Sequence, residues 1–411
     1  MQSQSARLAA DARLQPFAGR AGFLFGGLAA LTALSFVIVL IAATFIVTMR
    51  EGATATSIDF RVYWSAGKLA LAGEPLATFD TARLSAVHNT YIERPLPWLY
   101  PPGFLVVVIP FGALSFAAAY ALWTILSLGL VAWSTRPFVG GIMPLWLAVS
   151  LAPAFLPAVM LGQNSLLLFA CLLAALAALR SQRWVLAGIF IGLLTLKPQL
   201  GIMIPFALLA VRAWATIGAA IVTTIVLALL PTLAFGVDYW PLLQSAMADH
   251  GATVLAWIHG MKWMISLVSW LTLLGVPPAI ALSVQLVVTA LCAGAVYMLW
   301  RSEQVEFDVK AAGLLIAIML SAPYLWSYEG GLMAAIALFL LRGGVLSTGP
   351  LHLVLLGLLW VGAGLQPLNI FFKVVDTRWL GPAFIPVLLL LCLALCLRQV
   401  WASRHHELRA T

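Results

Sequence analysis

The sequence predicts an all-α polytopic membrane protein, and three observations carry that prediction. Hydrophobic residues fill 63% of its 411 positions, against roughly 45–50% in soluble domains. Mean hydropathy is +1.05 and only 9% of residues are charged. Continuous apolar runs recur from Ala21 to Leu397, and many are long enough to cross a bilayer. A β-barrel would instead alternate in segments of about ten residues. The net charge of +8 sits mostly in the short flanks of apolar runs, as topology signals do. The bilayer is therefore the expected partner, and no nucleic acid is expected.

Taken in order, the chain opens with Arg7, Arg13 and Arg20 ahead of the first apolar run, Ala21 to Met49. That run is too long for a signal-peptide core of about 7–15 residues, so it reads as an uncleaved first span with a cytoplasmic segment 1–20 before it. A periplasmic loop follows at 49–102. Further spans are expected near 116–134, 142–160, 164–179, 184–196, 199–211, 215–235, 278–300, 311–326, 330–341, 348–365 and 379–397. Arg136, Arg180, Arg183, Arg212, Arg301, Lys310, Arg342 and Arg398 mark the cytoplasmic turns. The total is about twelve spans in one membrane domain, 21–397, with a cytoplasmic tail at 398–411 and both termini inside. The expected location is a bacterial inner membrane.

Two stretches resist this threading. Residues 103–115 are apolar but short, and read as a dipping segment or the broken first half of the next helix. Residues 236–276 read as a second periplasmic loop with a short apolar piece along the interface. Its His250, His259 and Lys262 are expected to be solvated. The four cysteines, Cys171, Cys292, Cys392 and Cys396, all fall in apolar runs, which points to buried thiols rather than a disulfide framework or a zinc site.

The charge that does exist is concentrated. Asp59, Arg61, Lys68, Glu74 and Asp80 fall within "SIDFRVYWSAGKLALAGEPLATFD". After Asp59, the apolar residues Phe60, Tyr63, Trp64 and Leu71 recur at helical spacing with Arg61, Ser65 and Lys68 opposite. This predicts an amphipathic helix on the outer leaflet, ended at Gly73-Glu74-Pro75. A second short helix is expected after Asp80, carrying Arg83 and His88, before the Pro pair of "WLYPPGF" returns the chain to the membrane. Asp59 has two open readings, an N-cap carboxylate or a catalytic or ligand-binding group. Asp80 reads as a cap. Arg61 and Lys68 could face phospholipid headgroups.

Three motifs, "DFRVYWSAGKLALAGEPLATFD", "YPPGFLVVVIPFGALS" and "GQNSLLLFACLLAALAALRSQRWVLAGIFIGLLTLKPQLGIMIPF", together resemble glycosyltransferase family 87 over about residues 55–345. That family comprises polyprenol-phosphate-mannose-dependent mannosyltransferases of the GT-C superfamily. The resemblance implies a GT-C-type fold, a polyprenyl-phosphate-linked sugar donor, a lipid or glycan acceptor, and a periplasmic active site built from the first outer loop. It also implies that Asp59 acts as the base. The chemistry agrees: a polyprenyl phosphate leaves without acid help, so the reaction needs a carboxylate for the acceptor proton and cations for the departing phosphate.

Lys197, in "LLTLKPQLG", is the first candidate for the phosphate, with an interfacial snorkelling lysine as its alternative. Arg61 is the second. Gln163 and Asn164 in "GQNS" could bind a sugar, with helix capping by Asn164 or Ser165 as the simpler alternative. Tyr328 and Glu329, in "SAPYLWSYEGG", could line the sugar or acceptor pocket or belong to an aromatic belt. The histidine that the mycobacterial branch carries at this turn is absent, so acceptor recognition does not transfer. No metal and no cofactor beyond the lipid-linked donor are expected, since no cluster of carboxylates is evident. A transporter or flippase is the competing class, but transporters favour ionisable sites near the midplane and paired repeats. A polymer ligase would share the topology and differ in donor size.

Overall fold

In a computed structural model, the described residues are 4–20, scattered positions between 22 and 34, 58–88, 96–257, 263–366 and 383–410. The first expected span, 21–49, thus lies almost wholly outside them, as do His259 and Lys262. All regular structure among the described residues is helical.

The helices in chain order are α1 Gln4–Ala12, α2 Ile58–Leu71, α3 Thr81–His88, α4 Pro102–Gly112, α5 Phe116–Thr135, α6 Met143–Ser150, α7 Leu156–Leu161, α8 Ser165–Arg180 and α9 Trp184–Leu193. They continue with α10 Ile204–Ala210, α11 Trp214–Phe235, α12 Tyr239–Trp257, α13 Leu267–Leu273, α14 Pro278–Arg301, α15 Phe307–Ser321, α16 Leu332–Arg342, α17 Pro350–Val361 and α18 Ile385–Ala410. Among the described residues, four segments are long and apolar enough to cross a membrane: Phe116–Phe138, Met143–Leu161, Trp214–Phe235 and Pro278–Arg301. Six more apolar helices run only 10–17 residues, below or at the usual minimum of about 17 for a span. Proline explains several breaks. Pro153 opens a turn of 3-10 helix between α6 and α7, and Pro198 opens another between α9 and α10, because proline supplies no N–H and clashes with the preceding turn.

The core lies along α15 and α16, in which every residue from Phe307 to Ser321 and from Leu332 to Arg342 is buried. Helix α8 joins them with twelve buried residues of its own. By contrast, α11 exposes Ile221, Val222, Ile225, Leu229, Leu230 and Leu233, the face expected of a helix in contact with lipid.

The segment expected to form the first outer loop is organised differently. Residues 103–115 do form a separate short helix, α4, broken from α5 at Ser115. Helix α2, however, does not lie on a surface. Phe60, Arg61, Val62, Tyr63, Trp64, Ser65 and Ala66 are all buried. Of the expected polar face, Arg61 and Ser65 are covered and Lys68 is exposed; the apolar face packs on α4, where glycine lets the two helices approach backbone to backbone. A Cβ on Gly67 would stand 2.5 Å from the Val108 carbonyl oxygen, and one on Gly112 would stand 2.4 Å from the Gly67 carbonyl carbon. Rings then fill the remaining space: Tyr63 packs edge-on against Phe104 at 5.0 Å and Tyr100 at 5.2 Å, geometries that suit the aromatic quadrupole.

The end of α2 matches its sequence signals, with Gly73 at φ +81°, a left-handed conformation open to glycine. Asp80 caps α3, its Oδ1 accepting from the Ala82 and Arg83 N–H groups at 2.9 and 3.2 Å. Residues 236–276 differ again. Residues 239–257 form the helix α12 where a polar loop is expected, and α13 is largely buried.

Candidate active site

Three helix ends and two turns meet at one end of the buried core. Helix α8 starts there at Ser165, preceded by Gly162, Gln163 and Asn164. The turn after α9 carries Lys197. The segment after α15 carries Tyr328 and Glu329, and α2 brings Asp59 in its first turn. The helix begins at Ile58, so Asp59 lies inside it and not at the position before it. Gly162 makes the approach possible: at φ +68° it ends α7, and a Cβ there would lie 2.4 Å from that of Phe60.

At the centre, Lys197 and Glu329 touch at 2.7 Å, with side chains 6% and 1% exposed. The approach is too oblique for a hydrogen bond, and among the described residues Glu329 Oε1 has no hydrogen-bonding partner. Its other oxygen accepts from the Trp326 N–H at 2.8 Å, which fixes the carboxylate. Lys197 Nζ donates to Ser165 Oγ at 3.3 Å and stands 4.6 Å from the centroid of the Tyr328 ring. An ammonium carries three protons. With one on Ser165 and the charge balanced by Glu329, donor capacity is left for a ligand.

Asp59 is half-buried and its carboxyl group titrates near pH 7, raised from 3.8. Burial is the main cause and raises it. The Lys197 charge and a hydrogen bond from Gln163 oppose that rise, and the Glu329 charge adds to it. Desolvation of the charged form thus outweighs the nearby cation. Gln163 is held in turn by the Tyr63 hydroxyl, which donates to its Oε1 at 2.9 Å and lies 2.6 Å from the Tyr100 hydroxyl. Asn164 is fully buried, and among the described residues neither its side-chain Nδ2 nor its Oδ1 has a partner. It occupies the position before α8 without capping it by its side chain, so the capping reading fails there. Buried amides are nearly always satisfied, which makes this one a candidate ligand contact.

Of the seven expected site residues, Asp59, Gln163, Lys197, Tyr328 and Glu329 converge, and Asn164 adjoins them. Arg61 does not. Two residues along a helix turn the side chain by about 200°, and its guanidinium lies 4.3 Å over the Phe116 ring instead. Tyr63, Tyr100 and Ser165 belong to the cluster although the sequence did not single them out for binding. Tyr100 is held by the "YPPG" turn and by Tyr239, whose hydroxyl donates to its carbonyl at 3.0 Å.

A cavity of about 630 Å³ opens beside the cluster, with Tyr100, Lys197 and Tyr328 at its polar end. Its remaining wall is largely apolar, from Leu227 of α11 and from Leu243, Met247 and Val254 of α12. His250 lines it too, rather than lying solvated in a loop, and burial lowers its pKa. The volume falls within the roughly 300–1,000 Å³ of small-molecule sites.

The model of glycosyltransferase family 87 matches residues 98–323, just over half of the chain. The chain belongs to glycosyltransferase family 87. It is accordingly a membrane glycosyltransferase. The matched region contains Tyr100, Gln163, Asn164, Ser165 and Lys197 but ends before Tyr328 and begins after Asp59. Asp59 and Glu329 are therefore placed at the site by their contacts alone, Asp59 through Gln163 and the Lys197 charge and Glu329 through Lys197 itself. Neither a curated protein nor a solved structure matches this family 87 chain.

Proposed function

We propose that this glycosyltransferase moves a hexose, with mannose as the expected sugar, from a polyprenyl phosphate to a hydroxyl of a lipid or glycan at the periplasmic face. The observation that carries this reading is a buried lysine, in contact with Glu329 and lining an apolar cavity, whose charge acts on an Asp59 carboxyl group with a pKa that burial raises to about 7. The apolar wall suits the isoprenoid chain, and the Lys197 end suits its phosphate.

In the proposed step Asp59 takes the proton of the acceptor hydroxyl, whose oxygen bonds to the anomeric carbon from the face opposite the phosphate. The bond from that carbon to the phosphate oxygen breaks with its electron pair, and configuration inverts. A base with a pKa near 7 is half ionised at neutral pH and is matched to proton transfer there. Lys197 donates to the oxygen that gains charge, in a site with little water to screen it. Glu329 keeps the ammonium in place between turnovers. The Asn164 amide and the neutral His250 ring are the groups proposed to hydrogen-bond sugar hydroxyls.

The test incubates purified protein with radiolabelled polyprenyl-phosphate-mannose and membrane extract. Wild type should label an extractable lipid or glycan, and Asp59→Asn should not. Unchanged labelling by Asp59→Asn removes the base; no labelling by wild type with mannosyl, glucosyl or galactosyl donors removes the donor class and favours transport.

A further inference from the structure

At the far end of α8 from the active site, about 24 Å along the helix by its rise, lies a second cavity of about 390 Å³. Arg180, Arg212, Arg301 and Lys310 line it, with Glu303 as the one carboxylate. Arg212 and Arg301 are exposed at its rim, and Lys310 is only 7% exposed. Arg180 is occupied, donating to the Pro137 carbonyl and stacking over Phe138 at 4.5 Å.

Lys310 is not occupied. Its backbone carbonyl accepts from Trp300 Nε1 at 3.1 Å, but among the described residues its ammonium has neither an ion pair nor a hydrogen-bond acceptor. Glu303 acts on it only at longer range. Four cations against one carboxylate leave the cavity strongly positive. Around it the surface is apolar, with Val185, Leu209, Val211 and Trp214 exposed. A soluble anion has no use for that surface, whereas acyl chains do. Trp184 at the cavity wall is the residue type that settles at the headgroup level of a bilayer.

We infer that this cavity binds the phosphate of an anionic phospholipid headgroup, with Lys310 at its base and Arg212 and Arg301 at its rim. Basic pockets between membrane helices suit such headgroups, and bound lipid would tie the ends of α8, α14 and α15 together at the side remote from the donor.

The test uses the full chain in detergent, titrated with dioleoyl phosphatidylglycerol, dioleoyl phosphatidylcholine or inorganic phosphate, with bound lipid counted by native mass spectrometry. Wild type should retain phosphatidylglycerol about tenfold more tightly than phosphatidylcholine, and Lys310→Met should lose about that factor, as expected for one charge-assisted bond. Lys310→Arg should keep most of it, and Arg83→Gln, a remote exposed cation, should keep it all. The exposed pair Arg212→Gln and Arg301→Gln gives the same readout should Lys310→Met fail to fold. Equal retention by wild type and the cavity variants overturns the site. Displacement of phosphatidylglycerol by inorganic phosphate at similar concentration overturns the lipid as its ligand.

Discussion

Replacing Asp59 by asparagine should stabilise the folded protein while abolishing its activity, and the size of the effect follows from the site. The carboxyl group titrates near 7 in the folded chain and near 3.8 as an ordinary aspartate. Below pH 3.8 both states hold the proton and nothing is lost. Between the two values the unfolded chain has released it and the folded chain has not, so stability falls as pH rises. Above pH 7 the loss is complete, at about 3 pH units of 1.36 kcal/mol each, or about 4 kcal/mol as an upper bound. Asparagine has no proton to release. The difference in thermal unfolding midpoint, mutant minus wild type, should therefore be small near pH 4, grow through pH 5 and 6, and level off above 7. The assay is tryptophan fluorescence of purified protein in one detergent across that range. A difference that does not change with pH would refute the claim that Asp59 is buried as a neutral acid.

Lys197→Ala should lower transfer by about 10²–10³, as loss of a charge-stabilising donor does, with Lys197→Arg partly active; full activity in Lys197→Ala would remove the phosphate role. Gly112→Val drives a side chain into the Gly67 backbone and should cost about 3 kcal/mol or more, read as a lowered unfolding midpoint; an unchanged midpoint would contradict the packing. Arg342 is fully buried between Asp308, at 2.8 Å, and Asp11, at 2.7 Å. Arg342→Met should cost about 3–5 kcal/mol because the buried Asp308 loses its guanidinium partner. Adding Asp308→Leu should recover part of that loss, and a double mutant as unstable as the sum of both singles would count against the pair.

The apolar spans were the most legible part of the chain. The sequence places helices at 116–134 and 215–235, and the structure has Phe116–Thr135 and Trp214–Phe235, because an uninterrupted apolar run has few other ways to satisfy its backbone. Helix α12 was missed because Gln244, Asp249 and His250 interrupt its run. Yet Leu243, Met247, His250 and Val254 recur at helical spacing and all face the cavity, so periodicity held the signal that hydropathy averaged away. In the site, Asp59, Gln163, Lys197 and Glu329 stood out as polar residues in apolar surroundings. Tyr63 and Tyr100 did not, since an aromatic near a membrane boundary has an ordinary explanation as belt. Surface placement of α2 failed for a different reason. Its helical pattern is real, but Arg61 and Ser65 are buried by contacts with distant segments, such as Phe116 against Arg61, that no single stretch displays.

The most direct measurement is the pH dependence of single-turnover sugar transfer from a saturating polyprenyl-phosphate donor, from pH 5 to pH 9. If Asp59 must be ionised to accept the acceptor's proton, the rate rises tenfold per pH unit at the acid end and flattens through about pH 7. A rate that is flat from pH 5 upward, or that keeps the same profile in Asp59→Asn, would contradict it.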